Sequence, residues 1–181
     1  VFDGKRHASL SSHPELARRS FVISSFAKTY HTTGWKVGYC LAPLQMTQEL
    51  QKVHQFLTFS VNTPIQYAYA EFMQHRHYFE ELAAFYQEKR DRFLTLIEDS
   101  LFKPLDCQGT YYIMLDYTGI SNANDIDFAR RLLTDYGVAA IPPSVFYHGN
   151  DDHKILRFCF AKTSKTLERA AEKLLEIPAA T

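Results

Sequence analysis

From Pro64 to Ser100 the chain carries helix-forming residues almost without interruption. At 1.5 Å per residue an unbroken helix over that stretch would run roughly 54 Å. A small domain is narrower than that, so the segment must break, join two bodies, or do both. The polar run Gln74-His75-Arg76-His77 is the natural break. After it Leu82, Phe85, Tyr86, Lys89, Phe93 and Ile97 fall on one side of a second helix.

The two flanks read differently. Before the helices, Pro14 starts a single helical turn, and Phe21-Val22-Ile23 and Trp35 to Ala42 read as two buried strands, the second stopped by Pro43. Leu44, Met46, Leu50, Val53, Phe56 and Leu57 then recur at helical spacing to about Phe59, and Thr63-Pro64 reads as N-cap and first residue of the next helix. After Ser100 short strands alternate with helices. We expect strands at 101–107, 110–117, 138–141 and 155–161, a helix from about Asn124 to Tyr136, a turn at Gly149-Asn150-Asp151-Asp152, and a last helix capped by Ser164. The fold class is therefore α/β.

Charge and cysteine content narrow the function. Twenty basic residues balance twenty acidic ones in 181 residues, so no net field attracts nucleic acid or an anionic membrane. The apolar stretches stop well short of the roughly 18 residues that span a bilayer. Cys40, Cys107 and Cys159 form an odd set without metal or redox spacing, which suits buried thiols in a reducing, cytoplasmic setting. His75 and His77 are two residues apart, and His148 and His153 flank an acidic turn. Neither arrangement makes a metal cage, and we assign no metal.

The segment with most chemistry in it is Ser25-Phe26-Ala27-Lys28-Thr29-Tyr30-His31-Thr32-Thr33-Gly34-Trp35-Lys36-Val37-Gly38-Tyr39. A lysine at the end of a buried strand can have its ammonium pKa lowered, and the neutral amine then attacks a carbonyl to form an imine. Lys28 fits that role, while Ser25 and Lys36 offer a hydroxyl donor and a positive charge to an anion such as phosphate. Solvated loop and edge lysines would have the same spacing. A second signal is Arg157, set in the apolar run Leu156-Arg157-Phe158-Cys159-Phe160-Ala161. It needs a planar partner, and an internal carboxylate satisfies that need as well as a bound one.

The Ser25–Gly38 segment resembles the cofactor-lysine motif of fold-type I, pyridoxal-phosphate-dependent aminotransferases, Ser-x-x-Lys-Thr-x-x-x-x-Gly-Trp-Arg-x-Gly. It is most similar to the branch containing methionine and kynurenine aminotransferases. The resemblance covers the C-terminal half of those enzymes and implies Lys28 as the catalytic, cofactor-bound lysine and Ser25 as a phosphate ligand. Lys36 stands where most relatives have a phosphate-binding arginine. It also implies that Arg157 binds the substrate α-carboxylate. Gly109-Thr110-Tyr111-Tyr112 resembles the family's Gly-x-Tyr-Phe strand start, and Ile141-Pro142-Pro143-Ser144-Val145-Phe146 resembles its Ile-Pro-Gly-Ser-x-Phe loop, with Pro143 in place of glycine.

On that resemblance, residues 1–78 are the C-terminal part of the large cofactor-binding domain, 79–100 the connecting helix and 101–181 the small domain. The implied reaction moves an amino group from a methionine-type or aromatic amino acid to a 2-oxo acid. The full-length protein is expected to be a homodimer. The family's ring-binding aspartate lies upstream of the matched region, so the 181 residues by themselves are expected to bind the cofactor weakly or not at all. A carbon–sulfur lyase or decarboxylase of the same fold would keep Lys28 and Arg157. A transcription regulator with an aminotransferase-like domain, and an aldolase-type lysine that needs no phosphate contacts, are the further alternatives.

Overall fold

The computed structural model describes residues 1–149 and 151–179. Asn150, in the expected turn, lies outside them. The chain divides into two compact units, residues 6–82, and residues 1–5 together with 83–179 of the described chain.

In the unit formed by residues 6–82, α1 (Pro14–Ala17) leads to a hairpin of β1 (Val22–Ser25) and β2 (Gly38–Leu41). The strands pair antiparallel with Val22 opposite Leu41 and Ser25 opposite Gly38. Lys28, expected in a loop, stands on α2 (Phe26–Thr29), a single helical turn inserted between the strands. β2 is shorter than expected because Thr33–Trp35 form a 3-10 turn and Lys36 takes a left-handed conformation, φ 55. α3 (Leu44–Leu57) and α4 (Thr63–Phe72) follow. Asn62, one residue earlier than expected, caps α4 by accepting a hydrogen bond from Ile65 N. The expected break after it is present, with α5 limited to His77–Glu80.

The strands of this hairpin were expected to be buried and are not. Ile23 is 78% exposed and Leu41 54%. A two-stranded ribbon buries a face only where another element packs on it, and these apolar side chains lie open. α3 shows the same apolar excess, with Phe56 and Leu57 both exposed.

The other unit holds α6 from Ala83 onward (α6 spans Leu82–Leu96), β3 (Lys103–Pro104), β4 (Tyr112–Asp116), α7 (Asp125–Tyr136), β5 (Ile155–Cys159) and α8 (Ser164–Leu175). Its three strands pair antiparallel in chain order, with Ile113 opposite Phe158 and Met114 opposite Arg157. Alternate residues Ile113, Leu115, Leu156 and Phe158 enter the core with Phe128, Leu132, Leu167 and Leu174. All four expected strands are shortened or lost here, β4 losing residues 110, 111 and 117 from the expected 110–117. Pro104 lacks a donor, so β3 is a two-residue edge. Residues 138–141 form no strand, because Gly137 at φ 70 ends α7 and Val138 N donates to Leu132 O. Only Ile141 reaches β5, through one bridge to Arg157. β5 itself ends at Cys159, and α8 is capped by Thr163 instead of Ser164. Nor is any of the three thiols fully buried: Cys40 and Cys107 are half-buried and Cys159 is exposed.

Residues 1–5 belong to this unit for a physical reason. Phe2 is 2% exposed, its N–H bonds to Gln108 O, and the Arg90 guanidinium lies 4.8 Å from its ring centroid. Arg90 also donates to both Asp3 carboxylate oxygens at 2.6 and 2.8 Å and to Cys107 O at 2.8 Å. Those hydrogen bonds hold Asp3's carboxyl below its ordinary value of 3.8, against the opposing effect of desolvation.

Two predictions follow the packing. A carboxyl whose folded pKa is depressed stabilises the fold above its unfolded pKa, and that stability is lost as pH falls through the folded value. Thermal unfolding followed from pH 6 down to pH 2 should therefore show a shallower acid loss in Asp3→Asn than in the unaltered protein. In the hairpin, a Cβ on Gly38 would lie 2.5 Å from Ser24 O. Backbone sits on both sides, so the strands must part, and Gly38→Ala should cost about 1–3 kcal/mol in chemical denaturation.

Candidate functional site

The residues singled out in the first segment are brought together by the end of the hairpin. Beyond the pairing of Ser25 with Gly38, Phe26 N donates to Val37 O at 3.2 Å. This places Lys36, the next residue, beside the point where β1 turns into α2. Ser25 Oγ accepts from Ala27 N at 3.1 Å and caps that turn, leaving its hydroxyl hydrogen available to an acceptor. The turn is locked from within the unit, by Thr32 N to Ala27 O at 2.9 Å and by the burial of Ala27.

Aromatic rings hold α2 in place. Phe26 stacks on Tyr69 with centroids 4.4 Å apart and lies 5.0 Å from Tyr39, and Trp35 is 5.3 Å from Tyr69. Tyr69 is 4% exposed, and its hydroxyl and Thr32 Oγ1 are 2.5 Å apart. Burial, followed by the neighbouring Tyr39, pushes the Tyr30 hydroxyl pKa up. The rings take one side of the turn, and Lys28 is exposed. Neither Lys28 nor Lys36 takes part in an ion pair among the described residues.

The donor set has a definite chemistry. One amine on a fixed turn can bond an aldehyde carbon, while a hydroxyl and an ammonium beside it suit a phosphate dianion. Ser25, Lys28 and Lys36 therefore fit the aldehyde and phosphate ends of pyridoxal phosphate. Lys36 gives a point charge where an arginine would give a planar fork.

Arg157 belongs to the other unit. It sits mid-strand on β5, on the face opposite Leu156 and Phe158, and its main chain exchanges two hydrogen bonds with Ile141 at 2.9 and 3.0 Å. Its guanidinium carbon lies 4.8 Å from the Tyr112 ring centroid and 5.6 Å from that of Phe146. No ion pair among the described residues includes it. A cavity of about 560 Å³, lined among others by Tyr112, Ile141, Arg157, Cys159 and Lys162, opens at this edge of the sheet. A half-buried guanidinium beside two rings and outside every ion pair among the described residues can accept a carboxylate partner.

Three features lay outside the sequence reading. Tyr69, which supports α2, falls in line with Ile65 and Phe72 on α4, and that stripe could have marked it. Tyr112 and Phe146 had no assigned role, though both flank Arg157. Ser144 fell within the quoted loop motif, but nothing local linked it to its buried partner Asp125. Among the described residues no group of three or more His, Cys, Asp or Glu side chains is placed to hold a metal, and His75 and His77 present their rings edge to face 6.3 Å apart.

The family described as aminotransferase class I and II matches residues 1–174. Methionine aminotransferase of Escherichia coli is 47% identical over 178 residues, covering 97% of this chain and 46% of that protein. Kynurenine–oxoglutarate transaminase of Dictyostelium discoideum is 37% identical over 201 residues, covering 98% and 46%. The crystal structure of an E. coli protein with a methionine aminotransferase function superposes with a TM-score of 0.93 at 46% identity, over 97% of this chain and 47% of that one. N-Succinyldiaminopimelate aminotransferase from Mycobacterium tuberculosis gives 0.88 at 30% identity, over 98% and 47%. The chain thus spans about half the length of the relatives it matches. By sequence over nearly its whole length, and by α/β fold, it belongs to the class I and II aminotransferases.

Proposed function

We propose that the full-length protein is a pyridoxal-phosphate-dependent aminotransferase, acting on a large apolar amino acid of methionine or aromatic type and a 2-oxo acid. The observation that carries this is the gathering of Ser25, Lys28 and Lys36 at one end of the hairpin, with both ammonium groups outside every ion pair among the described residues. The names of the relatives support the substrate class, methionine in one case and kynurenine in another. The ring of Tyr112 beside Arg157 supports an apolar side chain.

When bound, pyridoxal phosphate supplies an electron sink for the carbanion at the substrate's α-carbon. The protein's share is binding and proton transfer. Ser25 donates its hydroxyl hydrogen to a phosphate oxygen, and Lys36 offsets the phosphate charge. Lys28 Nζ would hold the cofactor by its aldehyde carbon and, as a neutral amine after the substrate amine has displaced it, would take the substrate's α-proton. Arg157 grips the α-carboxylate with its fork and so fixes which bond at the α-carbon is presented for cleavage.

In this reading 1–78 is the C-terminal part of a cofactor-binding domain, 79–100 connects and 101–181 is the small domain, with which residues 1–5 nevertheless pack as one unit. The full-length protein is a homodimer, and the open apolar side chains Ile23, Phe56, Leu57 and Phe59 are the surface that further protein would cover. Three free cysteines suit a cytoplasmic protein.

Borohydride reduction of the full-length protein followed by digestion should leave the cofactor's mass on the peptide carrying Lys28. An unmodified peptide would end the assignment. Lys28→Ala should lower transamination at least about a thousandfold, and Arg157→Ala should raise KM for amino acid and oxo acid roughly a hundredfold through two lost charge-assisted bonds. Ser25→Ala and Lys36→Ala should each weaken cofactor binding about tenfold. An aldolase-type lysine would be indifferent to both.

A further inference from the structure

Asp125 is the first residue of α7, and 2% of it is exposed. Its two carboxylate oxygens both serve one residue, Ser144: Oδ2 accepts from Ser144 N at 2.8 Å and Oδ1 from Ser144 Oγ at 2.6 Å. Ser144 is equally buried. Two charge-assisted bonds to the same residue, out of water, fix both its position and its orientation.

The anchor end of this clamp is rigid. α7 is held in the core by Phe128 and Leu132, and Lys154 Nζ donates to Asn122 O and Ala123 O just ahead of the helix. The other end is a short turn. Ser144 lies in the 3-10 turn Pro143–Phe146, closed by Tyr147 N to Ser144 O at 3.1 Å. That turn meets Arg157 on both sides. Through Pro142 it continues from Ile141, whose backbone is bonded to Arg157 in both directions, and the two prolines keep the link stiff. At its far end Phe146 sets its ring 5.6 Å from the guanidinium carbon. Phe146 is 66% exposed. It has little burial of its own to keep it there, so its place beside Arg157 depends on the turn that carries it.

We infer that Asp125 and Ser144 are positioning residues for Arg157, acting through the Pro143–Phe146 turn to aim its guanidinium fork at the substrate carboxylate. The inference rests on the reading of Arg157 as the carboxylate-binding group. Neither Asp125 nor Ser144 touches substrate. The clamp governs binding of ligands that carry a carboxylate and leaves proton transfer at Lys28 alone.

The test uses the full-length holoenzyme and two probes, 3-phenylpropanoate, which carries a carboxylate, and 2-phenylethylamine, which does not. Ser144→Ala removes one donor and keeps the backbone N–H. It should raise KM for the amino donor and Ki for 3-phenylpropanoate about fivefold, with kcat within about twofold and the amine's Ki unchanged. Phe146→Ala should give the same pattern, and the double variant should be no worse than either single one, since both act through one element. An unchanged Ki for 3-phenylpropanoate in folded Ser144→Ala overturns the proposal, and so does equal weakening of both probes. Should Ser144→Ala not fold, the exposed Phe146→Ala still decides: without its rise in Ki the proposal falls. Arg157→Lys is run alongside. If it keeps full affinity for 3-phenylpropanoate, the reading of Arg157 is what has failed, and this inference goes with it.

Discussion

The unit of residues 1–5 and 83–179 depends on which face β5 gives to its core. Leu156 and Phe158 point in and are buried against α7 and α8 side chains, so Arg157 and Cys159 must point the other way. A slip of one residue in the pairing with β4 would drive the guanidinium into the apolar core and expose two large apolar side chains, at several kcal/mol for the buried charge alone. The hydrophobic effect thus sets the orientation of the arginine. Pairing of Met114 opposite Arg157, and of Tyr112 two positions along the same face, then brings an aromatic ring under the guanidinium. Fold and binding group come from the same alternation.

Much of this was legible because it is local. The strand and helix order after Ser100 follows from periods of two and of three to four residues, and the helix read from about Asn124 begins one residue later, with Asn124 as its cap. What failed also has local causes, but ones in competition. Val138 has the composition of a strand residue, yet its N–H is taken to close α7 behind Gly137. Thr163 and Ser164 are both cap residues, and the choice between them turns on which hydroxyl reaches the donor at Thr166 N. Composition does not rank such alternatives.

The candidate site divides along the same line. Ser25, Lys28 and Lys36 lie within twelve residues of one another, and a hairpin closed over that span was bound to gather them. Tyr69 and Thr32 are 37 residues apart, and Asp125 and Ser144 nineteen. Pairs of this kind exist only once packing has brought two elements together, and a buried aspartate at a helix start looks in sequence like any solvent-facing acid. The burial of the hairpin was misjudged for a related reason. The apolar runs Phe21-Val22-Ile23 and Trp35 to Ala42 report which side chains suit an apolar contact, and say nothing of whether the contact is supplied by the same unit.

Two arginines in one unit show why the distinction between structural and binding roles needs coordinates. Arg90 and Arg157 both lie among aromatic side chains and both have a ring within 5 Å of the guanidinium carbon. Arg90 is saturated: Asp3, Asp91 and Cys107 O take its donors, and the result ties the first residues of the chain to α6. Arg157 has rings and, among the described residues, no acid in an ion pair with it. Acids of the same unit are paired elsewhere, Glu168 with Arg92 and Asp152 with Lys154. A guanidinium withdrawn from water without such a partner lowers the stability of the fold, and a fold keeps that arrangement when a carboxylate arriving from outside recovers the difference on binding. The reading of Arg157 as a substrate group therefore rests on this contrast within one unit as much as on any resemblance to other proteins.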